Sequence, residues 1–153
     1  GHSENRAAGD TDEEINKKIK SSIKNRLKII FCIGETLKQK RTKQTHNILT
    51  KQIKKALQRV KKINKIIFAY EPIWSIGTGI IPKSKDLSLT INFIKNKLKN
   101  KYKFKYPKVL YGGSVSPNNI NQLKEIKVID GFLIGGASQD SKKFIDIVKK
   151  TFN

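Results

Sequence analysis

Two patterns of apolar positions alternate along the chain. Residues 12–27 carry Ile15, Ile19, Ile23 and Leu27 four apart, which places them on one face of an amphipathic helix. Asp10 or Thr11 is placed to cap it, and the acids at 12–14 suit its positive N-terminal end. Residues 28–33 are a short apolar run closed by Gly34, the pattern of a buried strand. The order then repeats. Residues 38–62 read as a long Lys-rich helix with Ile48, Gln52, Ile53, Leu57 and Val60 near one face, and 65–70 as a second apolar strand. A helix follows over 84–99, a third strand over 108–111, a short helix over 117–124, a fourth strand over 129–134 and a closing helix over 140–151. Four apolar strands separated by helical sequence predict an α/β fold of βα units on a parallel sheet. No linker interrupts the pattern, so residues 1–153 are expected to form a single domain.

The unusual residues cluster just past the C-terminal ends of these strands. Strand one runs into Gly34-Glu35, strand two into Glu71, strand three into Gly112-Gly113-Ser114 and strand four into Gly135-Gly136. In parallel α/β architectures that edge is where sites are built. The glycine pairs let backbone N–H groups approach an anion closely, with a following helix N-terminus adding positive potential. As tight βα turns they need no such role. Glu71 serves either as a general base or as an exposed loop acid. Gly77-Thr78-Gly79 after Trp74 has the composition of a lid tip between stiffer hinges, or of an ordinary surface loop. His46, mid-helix among polar neighbours, reads as solvated surface.

Composition narrows the function classes. The chain has 33 basic against 12 acidic residues, a formal net charge of +21. Only four of the basic residues are Arg, and Lys, Ile and Asn together are what A/T-rich codons encode. The lysines are dispersed, and no recognition helix, zinc finger or aromatic-interleaved RNA motif accompanies them. Weak, salt-sensitive adhesion to polyanions is expected, without specific nucleic-acid binding. A basic polyanion-binding module is the rival reading. A mean hydropathy of −0.52 and short apolar runs give no membrane span. The single cysteine, Cys32, excludes a disulfide framework and a multi-cysteine metal site. The first residues do not read as a signal peptide, and the chain contains no Met. It is expected to be a processed product or a piece of a longer one.

Five motifs carry a resemblance. Gly1-His2-Ser3-Glu4, Cys32-Ile33-Gly34-Glu35, the segment from Ala69-Tyr70-Glu71-Pro72-Ile73-Trp74 through Gly79, Tyr111-Gly112-Gly113-Ser114-Val115, and Asp130-Gly131 through Ser138 resemble the triose-phosphate isomerases, in that family's order and at its spacing. The resemblance implies the C-terminal portion of a (β/α)8 barrel, from the end of strand four onward. It implies a cytoplasmic glycolytic and gluconeogenic enzyme interconverting dihydroxyacetone phosphate and glyceraldehyde 3-phosphate. No cofactor or metal is implied. Glu71 then matches the family's general base and His2 the imidazole that polarises the carbonyl. Backbone N–H groups of Gly77, Ser114, Gly135 and Gly136 match its phosphate grip. Glu4 and Glu35 match supporting carboxylates, Trp74 the first hinge of the lid, Tyr111 a tyrosine that latches the closed lid through a hinge N–H, and Cys32 a buried strand-end cysteine. Pro82 stands at the second hinge, where proline offers no N–H to such a latch.

Length is the main departure from the family. A (β/α)8 barrel takes about 250 residues, so roughly the first hundred are missing by this resemblance. They would bring strands one to four, a lysine facing the substrate's charge, and the dimer interface. The chain alone is expected to be an open half-barrel with edges near Ile30 and Leu133. It is expected to be inactive or nearly so, and to be a fragment of a homodimer-forming full-length fold, one half of a split gene completed by a separate N-terminal half, or a non-catalytic remnant.

Overall fold

The computed structural model describes residues 1–61 and 63–152. The elements are α1 (Ser3–Ala7), α2 (Asp12–Lys24), β1 (Ile29–Ile33), α3 (Leu37–Arg41), α4 (Thr45–Ala56), β2 (Ile66–Tyr70), α5 (Ser84–Tyr102), β3 (Val109–Tyr111), α6 (Ile120–Lys124) and α7 (Ser141–Phe152). The three strands pair in parallel in the order β1-β2-β3. Ile29 lies opposite Ile66 and Ile33 opposite Tyr70, while Phe68 lies opposite Val109 and Tyr70 opposite Tyr111.

This register sorts the side chains by face. Phe31, Ile33, Phe68, Tyr70, Val109 and Tyr111 point to the face covered by α2, α4 and α5, where they are buried with Ile15, Ile19, Leu49, Ile53, Ile91 and Ile94. Phe31 and Phe104 each meet Phe68 edge to face, at centroid distances of 5.5 and 5.8 Å. The opposite face carries Ile30, Cys32, Ile67, Ala69 and Leu110. There Ile30 is 48% exposed. The sheet is therefore open, with helices on one face, as a partial barrel requires. The α7 surface also leaves Phe144, Ile145, Val148 and Phe152 exposed.

Four expectations change. The fourth strand, residues 129–134, is reduced to an isolated parallel bridge between Tyr111 and Phe132. The segment still lies against β3, with Asp130 N–H on the Val109 carbonyl at 3.1 Å and Leu133 N–H on the Tyr111 carbonyl at 2.9 Å. Tyr111 N–H also donates to the Gly131 carbonyl at 3.0 Å, and the Asp130 carboxylate accepts from Val109 N–H at 2.7 Å. The helix expected over 38–62 is two helices, broken where Lys43 turns to φ 57°. α4 ends at Ala56, and Lys62 lies outside the described residues. The helix expected to reach Leu27 stops at Lys24 because Arg26 takes φ 59°, so Leu27 is 56% exposed instead of on the apolar face. The short helix begins at Ile120 rather than at residue 117. Thr11, not Asp10, caps α2, through a reciprocal box with Glu14. Asp10 instead pairs with Lys18 at 2.6 Å.

Gln52 shows how a polar residue on an apolar helix face is accommodated. Its side-chain amide donates to the Gly34 carbonyl and accepts from Gly34 N–H, both at 3.0 Å. The clamp fixes the turn leaving β1. Replacing Gln52 by Leu keeps the volume but orphans both backbone groups. We expect a loss of about 2 kcal/mol in denaturant unfolding; an unchanged midpoint would show that Gly34 needs no such partner.

Candidate active site

The strand ladder carries its order past the strand ends. Glu71 N–H donates to the Ile33 carbonyl at 2.8 Å, Gly112 N–H to the Tyr70 carbonyl at 2.9 Å, and Ile73 N–H to the Glu35 carbonyl at 3.0 Å. Since side chains alternate, Tyr70 and Glu35 fall on the helix-covered side and Glu71 on the open side. Gly112 lies beside Glu71, and a Cβ there would sit 2.8 Å from Glu71 Cγ.

His2 comes from the other end of the chain. It caps α1, its Nδ1 accepting the Glu4 N–H at 3.3 Å. An accepting Nδ1 leaves the ring proton on Nε2, and Nε2 faces Glu71 Oε1 at 3.4 Å. Arg6 holds this turn in place by donating to the Gly1 carbonyl at 3.1 Å and pairing with Asp12 at 2.7 Å. The Glu71 side chain is only 3% exposed, and among the described residues its Oε2 has no hydrogen-bond partner. Burial raises the Glu71 carboxyl above its ordinary range, with His2 the main opposing influence. Beneath it, burial and the Glu71 charge push the Cys32 thiol up to about 12, so Cys32 is a protonated, buried neighbour and not a nucleophile.

A cleft of about 550 Å³ opens over this pair. His2, Glu71, Gly77, Ser114, Gly135 and Gly136 all line it. The residues expected to form the base, the electrophile and the anion grip thus converge from the chain's N-terminus, from beyond β2 and β3, and from the segment after the Phe132 bridge. Gly77 and Gly79 adopt φ 70° and 75°, the left-handed region that glycine enters without strain. Lys143 also lines the cleft, a cation the sequence reading did not single out. Asn119, also missed, shapes the wall by accepting from Ser116 N–H at 2.8 Å and donating to the Ser114 carbonyl at 3.1 Å.

The other expected residues stand behind the cleft. Glu35 is buried and accepts from Tyr70 Oη at 3.1 Å on both oxygens and from Trp74 Nε1 at 3.0 Å. The Lys40 ammonium lies over the Trp74 ring at 3.6 Å. Glu35 therefore anchors the loop through Trp74 and does not face the cleft. The carboxylate of Glu4 is exposed, 3.8 Å from His2 Nδ1, so the close contact from this residue is its backbone N–H. The hydroxyl of Tyr111 meets Ser75 Oγ at 2.9 Å, and burial raises this phenol to about 12. Ser75 is fully buried and was visible in the sequence only as one more loop residue. His46 is exposed, as read, and stacks on Phe93 at 3.9 Å.

A sequence model of the family described as Triosephosphate isomerase matches residues 1–151. The chain belongs to the triosephosphate isomerase family. It is 43% identical over 152 residues to the triosephosphate isomerase of Thermodesulfovibrio yellowstonii, covering 97% of this chain and 62% of that protein. The corresponding protein of Mycoplasma mobile is 42% identical over 152 residues, 97% of this chain and 60% of its own length. That of Dictyoglomus turgidum is 39% identical over 155 residues, with 97% and 62% covered. The chain thus spans less than two thirds of these triosephosphate isomerases.

One cationic groove, lined by Lys20, Lys24, Arg26, Arg59 and Lys61, lies at the opposite, N-terminal edge of the sheet. Among the described residues no helix is long and apolar enough to cross a membrane.

Proposed function

We propose that this chain supplies the base, the electrophile and the phosphate loops of a triose-phosphate isomerase, acting on dihydroxyacetone phosphate and glyceraldehyde 3-phosphate in cytoplasmic glycolysis and gluconeogenesis. The observation that carries this reading is the 3.4 Å approach of His2 Nε2 to the buried Glu71 carboxylate inside the glycine-walled cleft. Isomerisation of an α-hydroxy carbonyl needs one base and one fixed donor. Glu71 removes a proton from the carbon beside the carbonyl and returns it to the neighbouring carbon. The Nε2–H of His2 meets the negative charge that develops on oxygen. Backbone N–H groups of Gly77, Ser114, Gly135 and Gly136 hold the phosphate, and the loop over Trp74 keeps the enediolate dry.

The open sheet face and the exposed Ile30 support a further part of this proposal: residues 1–153 alone are inactive or nearly so. Catalysis needs the N-terminal strands and their lysine, supplied within a homodimeric full-length fold or by a separate N-terminal half. The test is an isomerase assay on the purified polypeptide, with and without the N-terminal portion of a related triosephosphate isomerase. We expect activity on mixing only. Full activity without the added portion would sink the need for those strands. No activity in any mixture, from a polypeptide folded by circular dichroism, would sink the competence of the site.

A further inference from the structure

Charge is segregated along α2. The acids at its start are already engaged: Asp10 with Lys18 at 2.6 Å, Asp12 with Arg6 at 2.7 Å, Glu13 with Lys55 at 2.7 Å, and Glu14 in the capping box with Thr11. Residues 15–34 and 36–70 contain no Asp or Glu. The far ends of α2 and α4 therefore carry cations only. Lys20, Lys24, Arg26, Arg59 and Lys61 wall a groove of about 590 Å³ over a half-buried floor of Ile23 and Val60. Among the described residues, none of these five cations has a carboxylate within ion-pair distance.

The groove is built without using those cations. The buried Asn16 amide of α2 donates to the Ala56 and Gln58 carbonyls at 2.6 and 3.0 Å, tying the end of α4 to α2. At the end of α2, Asn25 Nδ2 donates to the Ser21 carbonyl at 2.9 Å, and the N–H groups of Arg26 and Leu27 donate to the Ile23 and Ser22 carbonyls. These bonds take up carbonyls that basic side chains commonly cap. Arg26 and Arg59 also sit at a conformational cost, with φ 59° and 57°, where glycine or asparagine ends a helix without strain. They are two of only four arginines in a Lys-rich chain. A planar guanidinium forks onto two phosphate oxygens, which an ammonium cannot do. Each exposed contact is weak and screened, so a lone phosphate gains little here. A run of linked phosphates gains from several cations at once.

We propose that the groove between the ends of α2 and α4 is an anion site separate from the His2–Glu71 cleft, and that it binds small oligophosphates, the chemistry shared by inorganic tripolyphosphate and a nucleoside triphosphate. The proposal does not rest on the isomerase reading.

The deciding variant is Arg26→Gly/Arg59→Gly. Glycine suits both left-handed positions, so the melting midpoint is expected to hold or rise while binding is lost. Calorimetry at low salt measures tripolyphosphate, metal-free ATP and orthophosphate on wild type, on this variant, and on Lys85→Gln/Lys99→Gln, which removes two exposed charges of α5 outside the groove. We expect tripolyphosphate to bind wild type at least about tenfold more tightly than orthophosphate, and the glycine variant to lose about tenfold in tripolyphosphate affinity. The α5 variant changes by less than about twofold, and added salt weakens binding throughout. ATP binding more tightly than tripolyphosphate assigns the Ile23–Val60 floor to a nucleotide base; equal affinity assigns the site to the phosphate run alone. An unchanged isotherm in the glycine variant would overturn the proposal. So would equal losses in the two variants, which would leave net charge as the whole effect. A short DNA duplex that binds as tightly as tripolyphosphate, and is lost with the same arginines, would also overturn it in favour of nucleic acid.

Discussion

Glu71→Gln lowers the turnover of the reconstituted isomerase by about 10²–10⁴-fold, the usual share of a positioned acid–base group, with little change in KM. The amide keeps the shape of the carboxylate and loses only its basicity. Stability moves the other way. The Glu71 carboxyl is raised by burial, so in the folded state its protonated form is favoured. A raised carboxyl contributes stability below its ordinary range, and that contribution is lost as pH rises through the folded value. At neutral pH the wild type therefore holds a costly buried charge, its Oε2 without a partner among the described residues, that the amide removes. Denaturant unfolding at pH 7 is expected to show Glu71→Gln at least as stable as wild type. The same shift sets the acid limb of the wild-type rate profile: activity falls as Glu71 is protonated, at a pH above that of an ordinary carboxylate. A variant that keeps its rate, or an acid limb in the ordinary carboxylate range, would remove Glu71 from the chemistry.

Gly34→Ala carries the largest expected loss of stability. A Cβ at this position would lie 1.7 Å from the carbonyl oxygen of Glu71 and 2.5 Å from its carbonyl carbon. Both are backbone atoms, so no side-chain rotation relieves the overlap. Retreat is closed on the other side by the Gln52 clamp. The turn must part from β2 just where Glu71 is set, at a cost of about 3 kcal/mol, and the melting midpoint falls by about 6–12 °C. The displaced backbone is the one that aims Glu71 at His2, so any folded population loses activity as well. Thermal melts and the complementation assay measure the two effects separately. An unshifted midpoint would show that β1 and β2 do not approach this closely.

The βα order, the parallel sheet and the placement of special residues beyond strand ends were legible because each rests on local pattern. A buried strand needs an apolar run and an amphipathic helix needs a four-residue period, whatever surrounds them. The five motifs were legible for a related reason: an acid at a strand end, glycines for close backbone approach and a Gly-Thr-Gly loop tip are constraints on neighbouring residues. Boundaries were less so. The left-handed turns at Arg26 and Lys43 use basic residues where glycine or asparagine would have announced a helix end. The fourth strand looked continuous by composition, but only the Tyr111–Phe132 bridge forms, a pairing between residues 21 apart that local pattern does not encode.

The sequence by itself determined the family and the fold class, and it singled out the residues proposed here for a site. Tertiary structure alone decided how they meet. It put His2 against Glu71 across 69 positions, and turned Glu35 away from the cleft to hold Trp74. It made Gln52 a clamp and set the buried Ser75 hydroxyl against Tyr111. The physical reason is the same in each case. Propensity and periodicity act between residues within a few positions of one another. A buried hydrogen bond or a raised carboxyl depends on which groups the folded chain brings within about 3 Å and shields from water.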